Sequence, residues 1–198
     1  MLEATKSIQG IDINQIIEKN NALISIFPGS RKAELDVLTP ILIDFIKLMN
    51  EKYKDFTFVF HLTKEYSEFT QGIIKKNKLN NCEVISDNKI KSHILKKSVF
   101  AVSKSGTVSL EICNAKIPSI ILYKMSLINF FIIKMLVKVK YANIINIAAK
   151  EEIIPELLQS NCSPKKIFEN VSDFLDNPKK IDAQIKKTQL IINNFKTK

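Results

Sequence analysis

Five short runs constrain this chain more than any other feature: ALISIF at 22–27, FTFVFHL at 56–62, CEVIS at 82–86, SVFAVS at 98–103 and PSIILY at 118–123. A strand with one face in water alternates apolar and polar residues. Several of these runs are near-continuously apolar instead, which points to strands covered on both faces, as in parallel sheets. Helical patterns lie between them. In AELDVLTPILIDFIKLMNEKY, Leu35, Leu38, Leu42, Phe45 and Leu48 recur at three- and four-residue steps, which is the period of one helix face. Pro40 falls inside that segment and is expected to kink or divide it. Shorter helices are expected over 66–77, 88–97 and 107–115. Alternating β and α segments predict a doubly wound α/β domain.

The last quarter reads as helical. Ser163 is placed to cap a helix, with Pro164 at its first position, and DNPKKIDAQIKKTQLIINNF reads as a closing helix. Residues 1–20 carry no strand signal and read as a leader helix or a frayed end, so the domain is expected to occupy 21–198. The 45% hydrophobic content is enough for a real core.

The cysteines, Cys82, Cys113 and Cys162, are widely spaced with no CxxC, which supports neither a disulfide framework nor a zinc site and fits a reducing compartment. The N-terminus lacks the apolar core of a secretory signal. The most apolar segment, 117–139, is interrupted by Lys124, Lys134 and Lys138. A spanning helix needs about 20 largely uncharged residues, so no transmembrane span is expected. The formal net charge of +10 fits either an anionic partner or a solvated lysine surface. Nucleic acid is not an expected partner, because no aromatic-rich basic strand accompanies the charge.

Arg31 is the only arginine, against twenty-nine lysines. It lies in PGSR, between the first strand and the first long helix. In an open parallel sheet, ligands sit beyond the carboxyl ends of the strands. Gly29 permits a sharp turn and close approach of a ligand to the backbone. Ser30 can cap the helix, whose N-terminus favours an anion, and Arg31 offers a planar fork for two phosphate oxygens that lysine cannot match. A phosphate site fits this pattern, as does a helix cap with a solvated arginine. Ser105, Gly106 and Thr107 form a second turn between a strand and a helix. Glu111 lies one helical turn beyond Thr107, placed either to accept from a ribose diol or to form a surface ion pair. Asn146, in the apolar stretch 141–159, can order a loop or hold a ligand. The helix expected at 127–138 has little polar face and suits core burial, pairing with a partner or a membrane interface.

PGSRKAE, SGTVSLE, YKMSLINFFIIKMLVKVKYANIIN and EEIIPELLQ, in this order and spacing, resemble the C-terminal half of the lipid-A-disaccharide synthase family. The resemblance implies an α/β, Rossmann-like doubly wound parallel sheet with C-terminal helices: the nucleotide-sugar-binding half of a two-domain GT-B glycosyltransferase. It also implies transfer of 2,3-diacylglucosamine from UDP-2,3-diacylglucosamine to 2,3-diacylglucosamine 1-phosphate, forming a β-1,6 disaccharide and UDP without metal or cofactor. The expected location is cytoplasmic and peripheral at the inner membrane. Arg31 and Asn146 correspond to residues implied in catalysis. Gly29, Ser30, Arg31, Ser105, Gly106, Thr107 and Glu111 correspond to substrate-binding positions. The acceptor site and general base are expected on an N-terminal half, so the partners expected are the two lipid substrates, a membrane surface, and a separate N-terminal half or a second copy.

Two differences from the family pattern stand out. Ile145 replaces a proline before Asn146, and Lys150-Glu151-Glu152 replaces the usual Gly-Arg-Glu. Two other readings fit the residues: a non-catalytic module that binds UDP-sugars or anionic lipid, and another UDP-sugar enzyme such as a 2-epimerase. The apolar stretch at 125–139 argues against the latter, because a soluble sugar needs no such helix.

Overall fold

The computed structural model describes residues 22–124 and 140–196. The leader expected at 1–20 and the helix expected at 127–138 lie outside the described residues. The elements run β1 (Ala22–Phe27), α1 (Lys32–Lys52), β2 (Phe56–His61), α2 (Lys64–Lys76), β3 (Cys82–Ile85), α3 (Asn88–Lys97), β4 (Ser98–Lys104), α4 (Val108–Asn114) and β5 (Ser119–Tyr123). Then follow α5 (Ile144–Ala149), β6 (Glu156–Leu158), α6 (Pro164–Leu175) and α7 (Pro178–Lys196). The strands form one six-stranded sheet in the order β3-β2-β1-β4-β5-β6, and every neighbouring pair is parallel. The protein is thus an α/β doubly wound parallel sheet of Rossmann-like type. Its order reverses between β1 and β4, where such folds open a crevice at the strands' carboxyl ends.

Both faces of the sheet are covered, as the near-continuous apolar runs predict. Ile24 pairs in register with Phe58 on β2 and Phe100 on β4, and this face packs on Leu38, Leu42, Phe45 and Met49 of α1 and Phe174 of α6. The Phe45 and Phe58 rings meet edge to face at 6.0 Å between centroids. On the opposite face, Leu23, Val59, Ile85 and Ile94 form one cluster and Phe27, Leu95, Ala101 and Ile112 another. Each such Leu, Ile, Val, Phe or Met side chain, fully buried, contributes roughly 1.5–3 kcal/mol.

Two expectations change. Pro40 does not divide α1, which runs unbroken from Lys32 to Lys52. Pro40 and Asp36 both lie on the exposed side, so the Asp36 carbonyl that loses its helical donor faces water instead. A sixth strand, β6, also joins the sheet edge beside β5; the sequence reading gave it no separate strand. Ser163 caps α6 as expected, its hydroxyl accepting the Lys166 N–H at 3.4 Å.

Candidate functional site

The loops after β1 and β4 sit on either side of the point where the strand order reverses. Gly29, Ser30 and Arg31 from the first, and Ser105, Gly106 and Thr107 from the second, line a single cavity of about 430 Å³. Glu111 lines it as well. The wall continues over the ends of β2 and β3 with His61, Leu62, Thr63, Ile85, Ser86 and Asp87, and along α3 with Lys91.

The turn after β1 is built around a residue that the motif reading did not single out. Gly29 has φ +117°, a conformation that L side chains rarely adopt. A Cβ there would stand 2.3 Å from Glu34 Oε2. Ser30 does not cap α1. Arg31 takes the N-cap position with extended backbone and no side-chain cap bond, while the Ser30 N–H donates to Glu34 Oε2 at 3.1 Å. Glu34 reaches back from the first helical turn as a capping-box glutamate does. The other carboxylate oxygen lies 2.9 Å from Lys104 Nζ and 4.0 Å from Arg31 Nη1. Burial pushes the Glu34 carboxyl up, but Lys104 and the N–H groups of Ser30 and Arg31 outweigh it and hold the group below the usual carboxylate range. The Arg31 side chain is 82% exposed.

In the second turn Thr107 takes the N-cap position of α4 without a side-chain cap bond. Ser105 instead donates its hydroxyl to the Ala142 carbonyl at 2.9 Å, tying this turn to the loop before α5. A Cβ added at Gly106 would meet nothing within 4 Å, so the backbone there borders open space. Glu111 pairs with Lys91 at 2.9 Å. Lys91 Nζ lies 5.6 Å from the centroid of the Phe27 ring, and Phe27 stacks on His61 at 4.2 Å.

His61 ends a buried polar chain whose hydrogens are fixed by its far end. The Ser98 hydroxyl donates to the Ile94 carbonyl at 3.0 Å. Its one hydrogen is then used, so Ser25 donates to Ser98 at 2.7 Å, and Ser25 accepts from His61 Nε2–H at 2.8 Å. Nδ1 is left as a bare acceptor with no partner. Burial first, and the Lys91 charge second, push the imidazole pKa down to about 3, so the ring is neutral at physiological pH.

The structure does not bring Asn146 to the cavity. It lies in α5, is fully buried, and its amide is satisfied by the segment between α5 and β6 and by Glu156. Nδ2 donates to the Ile154 carbonyl at 2.7 Å and to Glu156 Oε1 at 2.8 Å, and Oδ1 accepts the N–H groups of Ile153 and Ile154 at 2.9 Å. Glu156 also accepts from the backbone of Ala142 and Asn143, at 2.7 and 3.0 Å. Asn146 therefore ties Glu156 to the Ile153–Ile154 segment, and Glu156 in turn holds the loop that Ser105 grips. Glu151, which stands where the family pattern has arginine, pairs with Lys187, and Glu152 accepts the Glu156 N–H at 3.0 Å; neither lines the cavity.

Among the described residues, no group of three or more His, Cys, Asp or Glu side chains converges to hold a metal ion. Among the same residues, no helix is long and apolar enough to cross a membrane. Glu34, His61, Lys91 and Lys104 are cavity residues that motif reading missed. The signal for Glu34 was present, because it stands three residues after the N-cap. The two lysines carried no signal among so many others.

Solved structures with this fold include the C-terminal domain of a glycosyl transferase group 1 family protein from Francisella tularensis, with a TM-score of 0.59 and 17% identity, covering 91% of this chain and 90% of that one. The UDP-GlcNAc 2-epimerase of Neisseria meningitidis, bound to UDP-GlcNAc, matches with a TM-score of 0.62 and 14% identity over 94% of this chain and 48% of that one. At such identities the likeness is one of fold. Sequence goes further. The lipid-A-disaccharide synthase of Rickettsia prowazekii (strain Madrid E) is 34% identical over 179 residues, 90% of this chain and 47% of that protein. That of a Sulfurihydrogenibium species (strain YO3AOP1) is 35% identical over 181 residues, 87% of this chain and 45% of its own length. The chain thus spans about half the length of the curated relatives it matches. The family model described as lipid-A-disaccharide synthetase matches residues 3–198, nearly the whole chain, and on that match the protein belongs to the lipid-A-disaccharide synthase family.

Proposed function

We propose that this chain is the nucleotide-sugar-binding half of a lipid-A-disaccharide synthase. It would bind UDP-2,3-diacylglucosamine and, with an N-terminal half, transfer its sugar to the 6-hydroxyl of 2,3-diacylglucosamine 1-phosphate at the cytoplasmic face of the inner membrane. The observation that carries this reading is the meeting of two turns, Gly29–Arg31 and Ser105–Thr107, on one cavity at the strand-order reversal.

In this reading Arg31 holds the diphosphate with its planar fork. The Ser105–Thr107 turn borders the same anion, with Gly106 allowing it to approach the backbone. Together they stabilise charge as UDP leaves, which is electrostatic catalysis of leaving-group departure. Glu111 accepts from the ribose diol after exchanging its bond with Lys91. Asn146 acts at one remove, through Glu156, which holds the loop that Ser105 grips. The base that takes the acceptor's proton comes from the N-terminal half.

The test is an assay of UDP release with both lipid substrates, using this chain alone and then with a matching N-terminal half from a relative. The expected result is release only when both halves are present. Binding of UDP with no turnover in any pairing would favour a second reading, a nucleotide-sugar-binding module without catalysis. The wide exposure of the Arg31 side chain is compatible with either.

A further inference from the structure

The charges lining the cavity cancel. Three cations, Arg31, Lys91 and Lys104, face three carboxylates, Glu34, Asp87 and Glu111. Both lysines are paired with carboxylates of the same wall, Lys91 with Glu111 and Lys104 with Glu34, each at 2.9 Å. A pocket meant only to hold a diphosphate tightly gains nothing from placing a partly buried carboxylate among its donors.

Glu34 is built into that end of the cavity. Its side chain is 17% exposed, it takes up the Ser30 N–H, and Gly29 has no Cβ where one would collide with its Oε2. The donors it occupies, a turn N–H and the Lys104 ammonium, are of the kind that otherwise bind phosphate oxygens. Its carboxyl is held below the usual carboxylate range, so it is an anion at neutral pH.

We propose that Glu34 sets the charge of the phosphate end of the cavity: its carboxylate competes with an incoming diphosphate for Lys104 and the turn N–H, weakens ground-state binding, and so favours release of the nucleoside diphosphate. The inference rests on the nucleotide-sugar reading above. Glu34 acts through Lys104 and the turn, which makes it a positioning residue. A release-limited enzyme gains from such weakening, because tight binding of substrate and product alike does not speed the chemical step.

The experiment is calorimetric titration of this chain with inorganic pyrophosphate and with UDP, at low and high salt. Glu34→Gln keeps the length and an acceptor for Ser30 but removes the charge. It should bind pyrophosphate about three- to tenfold more tightly, with the gain shrinking as salt rises, since a field of charges is screened over about 10 Å at 0.1 M and about 3 Å at 1 M. Glu34→Asp keeps the charge and should show no gain. Lys104→Gln, which leaves Glu34 uncompensated, should bind pyrophosphate more weakly. A turn clamp with no role in charge predicts the reverse ranking, with Glu34→Gln at or below wild-type affinity and Glu34→Asp impaired by its shorter reach. That result, or an unchanged affinity in Lys104→Gln, overturns the proposal while the UDP site stands, provided the wild-type chain binds UDP. If the wild-type chain binds neither ligand, the nucleotide site falls and this inference falls with it.

Discussion

A buried imidazole at a cavity wall couples the stability of this protein to pH. His61 has a folded pKa of about 3 against the usual 6.5, from burial and from Lys91. As pH falls below 6.5 the unfolded chain takes up a proton that the folded chain refuses until about pH 3. Stability contributed by this residue is therefore whole above 6.5 and declines through that window, by up to about 1.4 kcal/mol per pH unit. His61→Gln can still donate to Ser25 but does not titrate. Urea unfolding at pH 7, 5.5 and 4.5 should show wild type losing stability faster than the variant as pH falls. A constant difference between the two would mean that His61 titrates normally when folded. Sequence gave no hint of this role. The stack on Phe27 and the chain through Ser25 and Ser98 join residues from β1, β2 and β4, and only the folded sheet brings them together. Glu34 was hidden for a different reason: its signal is local, but it begins at Arg31 and not at the serine that the usual capping pattern favours.

Among the elements, β1 to β5 were legible because parallel strands covered on both faces read as short, near-continuous apolar runs. β6 was not. It has three residues, one edge partner, and an acid, Glu156, whose carboxylate is spent on the loop before α5. Asn146, on α5, donates to the same carboxylate. Asn146→Ala would strand the N–H groups of Ile153 and Ile154 and remove one of the donors to Glu156. The expected cost is about 2–4 kcal/mol, since each buried group left unpaired costs about 1–3 kcal/mol. Hydrogen exchange should quicken first at β6 and α5. The effect on UDP affinity should be smaller than the effect on stability. A variant with wild-type stability and lost turnover would instead give Asn146 a direct catalytic part. Pro40 shows how an exposed helix face relaxes a local rule, because water can serve the carbonyl that proline leaves without a donor.

For the whole molecule, the central claim is that the strand-order reversal between β1 and β4 gathers two separate turns into one diphosphate site. The alternation of elements predicted a doubly wound sheet but not its strand order, and both turns were visible as small polar links between a strand and a helix. Their convergence, and the carboxylate placed between them, belong to the folded sheet. The most direct test is titration of the ¹⁵N-labelled chain with UDP, followed by amide chemical shifts. The account predicts that the largest saturable changes fall at Gly29, Ser30 and Arg31 and at Ser105, Gly106 and Thr107, moving together with one affinity. Changes confined to one turn, centred elsewhere on the sheet, or absent at millimolar UDP would contradict it.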